Sequence, residues 1–190
     1  MRALLRKHLQ GKKVLIFLGL TTIVYGFMIV ITIPKVMQYT QGMKIFDMMP
    51  SGHDVEYAKT LLDTLGTKGR NAYLYFQIPA DLIYPGLFGI SYCLLIAYFL
   101  KQLGQFEKPI LGLSLLPVIG GSFDYLENLG TITMLISYPD LSPMVSGFVN
   151  VCTILKSIVS TMAFSTVIIL LGWWAIMKIK SQDTTDWLHE

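Results

Sequence analysis

Long apolar runs decide what this chain can fold into. Four stretches each hold about 20 or more residues with scarcely a charge: Val14–Pro34, about Phe76–Leu100, about Pro109–Ser137 and about Phe148–Met177. A helix needs roughly 20 apolar residues to cross the hydrocarbon of a bilayer. Runs of this continuity point to helices and not a barrel, because a helix satisfies its backbone within one segment. Charged residues make up 14% of the 190-residue chain and mean hydropathy is +0.56, a balance that a water-soluble domain does not show. The expected fold class is therefore all-α, an integral membrane four-helix transmembrane bundle, with residues 1–190 forming a single transmembrane domain.

The leading segment "MRALLRKHLQGKK" carries five Lys or Arg residues ahead of the first run. That run is too long for the apolar core of a signal peptide, and no small-x-small cleavage pattern follows it, so it reads as a retained span. Basic residues flanking the first span, the link "KQLGQFEKP" and the segment after the last span place both termini in the cytoplasm. The expected location is the cell membrane, multi-pass. Trp173 and Trp174 fall where an inner aromatic belt belongs.

Between spans one and two, "PSGHDVEYAKTLLDTLG" has the pattern of a short outer amphipathic helix at about 51–66. Val55, Ala58, Leu61, Leu62 and Leu65 form one apolar stripe. Ser51 is the expected N-cap, with Asp54 three residues on, and Gly66 the expected C-cap. Span three begins at Pro109, and Pro117 is a candidate kink.

Ionisable residues inside the spans carry the functional signal, since charge in hydrocarbon is costly and usually faces a bundle interior. There are four: Asp81, Asp124, Glu127 and Lys156. At helical spacing, Asp124, Glu127, Asn128 and Thr131 share a face of span three, beside Gly120 and Gly121. Asp81, Tyr84, Pro85, Phe88 and Tyr92 form a stripe on span two. Thr153, Lys156, Ser157 and Ser160 do so on span four, and Thr21, Tyr25 and Thr32 on span one. Counting 1.5 Å per residue, Asp81 and Lys156 lie about two turns below the outer end, Glu127 somewhat deeper and Asp124 near the midplane, so that the four charges can meet in the outer half of the bundle. Three acids against one base require protonation of a carboxyl, or a further cation such as Arg70 or a ligand. Two readings stay open: a ligand pocket, and a structural polar knot that fixes helix register.

Several chemistries lack their residues. The three histidines, His8, His53 and His189, lie outside the spans, which removes paired-histidine haem and histidine-held di-metal oxidation. No G-x-S-x-G, Walker A or H-E-x-x-H pattern occurs, nor do the spaced aspartates of CDP-alcohol transferases. Cys93 and Cys152 sit at different depths and are expected to be free. No metal, no cofactor and no nucleic-acid partner are expected.

The stretch "LGTKGRNAYLYFQIPADLIYP", then "FDYLEN", then "YPDLSP…TILK" resembles a family of small four-span bacterial membrane proteins. Gly66, Gly69, Arg70, Tyr73, Asp81, Tyr84, Pro85, Asp124, Glu127, Asn128, Thr153 and Lys156 carry that resemblance, over about residues 45–160. It implies a fold and brings no activity with it. A looser, fold-level similarity is to EXPERA-type sterol isomerases and sterol-binding proteins.

The leading functional expectation is a carboxylate-lined pocket for a membrane lipid or small amphipathic ligand. Its expected residues are Arg70, Tyr73, Asp81, Tyr84, Tyr92, Asp124, Glu127, Asn128, Thr153 and Lys156. The alternatives are a cofactor-independent lipid-modifying enzyme of acid/base isomerase type with Asp81, Asp124 and Glu127 as candidate catalytic groups, a proton-coupled transporter, and a structural assembly partner. A homodimer is compatible with any of them.

Overall fold

The computed structural model describes residues 2–186, with the side chains of Leu4 and of residues 181–186 not described; His189 lies outside the described residues. All regular structure among them is helical: α1 (Arg2–His8), α2 (Gly11–Met37), α3 (Val55–Gln102), α4 (Leu116–Ser137) and α5 (Pro143–Asp186). A 3-10 stretch, Pro109–Leu115, leads into α4, and a single 3-10 turn, Phe46–Met48, lies between α2 and α3. Four helical segments are long and apolar enough to cross a membrane, namely Gly11–Met37, Val55–Gln102, Pro109–Ser137 and Pro143–Lys180. The chain is a multi-pass, all-α membrane bundle.

The helices α3, α4 and α5 pack mutually, and α2 lies against α3. Two apolar clusters hold the two ends. At the end shared by α1 and the 101–108 link, Leu5, Leu9 and Val14 pack with Ile96, Leu100, Phe106 and Leu170. At the opposite end, Ile45, Phe46 and the stripe Ala58, Leu61, Leu62 and Leu65 pack with Tyr73, Met134 and Val149.

The amphipathic helix is present, but its boundaries differ from expectation. Asp54, not Ser51, is the N-cap: its Oδ1 accepts the Tyr57 backbone N–H at 2.7 Å, satisfying one of the orphan donors of the first turn. Ser51 is exposed in the preceding turn. At its other end the helix breaks at Gly66, whose φ of 58° and ψ of −177° belong to glycine. It then resumes and runs without a loop into span two. The helix of the second span thus begins nearer residue 67 than Phe76, because Gly69, Ala72 and Tyr73 bury against the cluster at that end. Arg70 explains how the break is tolerated: its guanidinium donates to the Leu62 carbonyl at 2.8 Å, one of the acceptors stranded where the helix stops.

Pro117 does not kink span three. It occupies the first turn of α4, where its missing N–H costs nothing. Pro85, by contrast, sits inside α3. A proline cannot donate to the carbonyl four residues back, which here belongs to Asp81. Asn128 of α4 supplies the missing donor, its Nδ2 lying 3.3 Å from Asp81 O. Cys93 and Cys152 are both free and buried.

His53 fastens the segment between α2 and α3. Its backbone N–H donates to Asn150 Oδ1 at 2.8 Å, and its ring tilts against Phe46 with centroids 4.6 Å apart. Burial pushes the imidazole pKa below its ordinary 6.5, partly opposed by the carbonyl and charge of Asp54. The unfolded chain therefore binds this proton more readily than the folded one, so the stabilising contribution is full above about pH 6.5 and is lost as pH falls below it. We expect the melting temperature to drop between pH 7 and pH 5, and the drop to shrink in His53→Phe. Parallel pH profiles of the two proteins would remove His53 as the cause.

Candidate functional site

Between α2 and α5, with α3 at the back, lies a cavity of about 540 Å³. Its walls are apolar: Met28, Ile29, Ile33 and Met37 from α2, and Phe164 from α5. Its back wall carries charge, with Asp81 from α3, Asp124 from α4 and Lys156 from α5. Burial grades across it. Asp81, Phe88 and Asp124 are 4%, 4% and 7% exposed, whereas Tyr25 and Phe164 at the two front edges are 48% and 40% exposed. The cavity thus opens sideways, through the gap between two helices whose outer faces carry exposed isoleucine, leucine and valine.

Lys156 is the electrostatic centre. Its Nζ lies 2.5 Å from Glu127 Oε2 and 3.3 Å from Asp124 Oδ1. The three-residue spacing of Asp124 and Glu127 presents both carboxyls to one ammonium, as neighbours on a helix face do. The Glu127 contact is ionic in distance, yet neither Glu127 oxygen receives a well-aligned hydrogen bond. Asp81 makes no ion pair with Lys156, and its Oδ2 is buried with no hydrogen-bond partner. An acceptor in that position costs free energy as long as nothing donates to it.

A fourth carboxyl, Asp47, was not expected from the sequence. The 3-10 turn Phe46–Met48 carries it into the cavity lining. Its Oδ2 accepts from Tyr73 OH at 2.9 Å and from Gln77 Nε2 at 3.3 Å. Thr32 of α2 closes the chain, its hydroxyl 2.5 Å from Gln77 Oε1. Both helices are π-helical here, over Met28–Thr32 and Tyr73–Gln77, and wide turns of this kind often mark functional sites. A buried glutamine on an apolar span needs partners, and Gln77 was the one signal in the sequence that pointed here.

The expected site residues divide. Asp81, Tyr84, Asp124 and Lys156 line the cavity, with Tyr25, Phe88, Ser157 and Ser160. Glu127 and Asn128 stand behind it and hold Lys156 and the Asp81 backbone. Tyr73 orients Asp47 and does not reach the cavity itself. Tyr92 packs its ring on Phe88 and Phe164 at 4.9 and 5.1 Å. Thr153 donates to the Val149 carbonyl within its own helix. Arg70 is not the extra cation: besides Leu62 O, its guanidinium lies 4.2 Å from the centroid of the Tyr138 ring, and Tyr138 OH donates to Asp63. Tyr25 and Tyr84 stack across the α2–α3 seam at 5.4 Å, and Thr21 donates to Ser91 at 3.0 Å one turn away.

Among the described residues, no three His, Cys, Asp or Glu side chains gather so as to hold a metal ion. No family model, curated protein or solved structure matches this chain.

Proposed function

We propose that the cavity holds a membrane-dissolved amphiphile, its polar head against Asp81, Asp124 and Lys156 and its apolar tail leaving between α2 and α5. The observation that supports this reading is the combination of an apolar-walled hollow of about 540 Å³ with a buried charged back wall and a front that opens on the lipid-facing side. Volumes of this order accommodate small organic ligands, held mostly by apolar contact and oriented by a few polar groups.

Orientation in the membrane follows from charge. Arg2, Arg6, Lys7, Lys12, Lys13, Lys101 and Lys108 gather at the α1 end, where Arg2 and Arg6 pair with Glu107, whereas lysines at the other end alternate with acids. The α1 end is accordingly cytoplasmic, and the cavity lies toward the exterior half.

Filling the hollow tests the proposal. Ser157 lines the cavity, and Ser157→Trp is expected to remove lipid-like molecules that co-purify with the full chain in native mass spectrometry. Ile168→Trp, at a residue 69% exposed on the outside of α5, is the control and should retain them. Equal occupancy in both variants would count decisively against the cavity as the binding place.

A further inference from the structure

The charge around the cavity does not balance. Asp47, Asp81 and Asp124 line it and Glu127 stands directly behind, four carboxyls in all, against the single ammonium of Lys156. Nearby cations are engaged elsewhere: Arg70 on Leu62 O and the Tyr138 ring, and Lys35 with its Nζ 3.2 Å from the centroid of the Phe76 ring. Lys156 itself is committed to Asp124 and Glu127. Asp81 is left, 4% exposed, with Oδ2 facing no donor. Charge taken out of water is stable only when paired and hydrogen-bonded.

Three kinds of compensation exist: a proton, a metal ion or an organic cation. A proton on Asp81 neutralises its charge but leaves the buried Oδ2 without a hydrogen-bond partner. A metal ion needs several ligands at one point, and among the described residues no such group forms. An organic cation needs neither convergence nor a small site. It needs a carboxylate acceptor, room for its substituents and aromatic faces, and Tyr25, Tyr84 and Phe88 line the same hollow in a stacked series, with centroids 5.4 and 5.9 Å apart. Aromatic faces attract ammonium groups most strongly where water is excluded.

We propose that the amphiphile's head is a protonated amine that pairs with the Asp81 carboxylate on the cavity's back wall, while Asp47 and Asp124 supply the surrounding negative field. This rests on the reading that the cavity holds an amphiphile, and it names the class of head that the cavity selects.

The test offers three probes of equal chain length to the full chain in a non-ionic detergent: hexadecylamine, hexadecanol and hexadecanoate. Retained probe is counted by native mass spectrometry. The amine is expected to be held about tenfold or more above the other two, as a hydrogen bond to a buried charge implies. Asp81→Asn is expected to erase that preference, bringing the amine down to the level of the alcohol. If the wild-type chain retains amine and alcohol alike, the ammonium inference falls while the amphiphile reading stands, and that comparison needs no variant to fold. If no probe is retained, the amphiphile reading itself falls. An amine preference that survives in folded Asp81→Asn would also overturn the assignment of Asp81.

Discussion

Lys156→Met should destabilise the bundle by about 3–5 kcal/mol, the range found when one partner is removed from a buried ion pair. Asp124 and Glu127 would then face one another with no counter-charge. Their side chains are 10% and 2% exposed, so water does little to screen them. The apolar replacement keeps most of the volume of the lysine stem, which restricts the loss to electrostatics. Melting of the detergent-solubilised chain with a thiol-reactive dye reads the result directly, because Cys93 and Cys152 are both buried until the bundle opens. Neutralising the acids as well, in Asp124→Asn with Glu127→Gln and Lys156→Met, is expected to recover most of the loss, since a buried triad replaced as a whole is often close to neutral. Asp81→Asn offers the contrast. Asp81 has no ion pair to lose, so its melting temperature should stay level or rise, as happens when a residue kept for binding is removed. A Lys156→Met protein as stable as the parent would mean that Asp124 and Glu127 do not depend on the ammonium, and the reading of the three charges as a structural knot would lose its basis.

The spans were legible because their signal is redundant: any of twenty positions can vary and the run remains apolar. The Asp124–Glu127–Asn128 face was legible for a related reason, since three- and four-residue spacing on one helix translates directly into direction. What failed to show was whatever depended on two segments meeting. Asp47 lies in a short 3-10 turn without periodicity, and its partners Tyr73 and Gln77 are 26 and 30 residues away. Tyr73 enters the expected site only through the resemblance, which carries no geometry. In the structure Tyr73 opens the π-helical stretch Tyr73–Gln77 and its hydroxyl donates to Asp47 instead. Arg70 looked like a free cation because its acceptor, the Leu62 carbonyl, is exposed only by the break at Gly66. The match of Pro85 with Asn128 combines both kinds of information. The proline announces an unsatisfied carbonyl at Asp81, but which side chain serves it is decided by how α3 and α4 cross.

Gly121 is the tightest backbone approach at that crossing, and Gly121→Val is expected to cost about 3 kcal/mol, at the upper end for an overpacked interior. A Cβ at this position would stand 2.7 Å from Pro85 O, 3.4 Å from Pro85 C and 3.7 Å from Pro85 Cα. All three are backbone atoms of α3, so no side chain can swing aside, and the helices must separate. Gly86→Ala meets an obstacle just as near, the Tyr125 hydroxyl at 2.7 Å, but that is the far end of a mobile and partly exposed side chain and should yield cheaply. Gly26→Ala, with nothing within 4 Å, is expected to change stability by less than about 0.5 kcal/mol. The consequence for the site is separable from the loss of stability. Gly121 precedes Asp124 by one turn, so pushing α4 outward lengthens the 3.3 Å contact between Asp124 and Lys156 and withdraws Asn128 from the Asp81 carbonyl. Gly121→Val held folded at low temperature should therefore retain fewer amphiphile molecules than the wild type, whereas Gly26→Ala should match it. If Gly121→Val melted with the parent and kept its ligand, the tight α3–α4 seam that brings Asp81 and Asp124 to one wall would not exist, and the cavity would have to be built some other way.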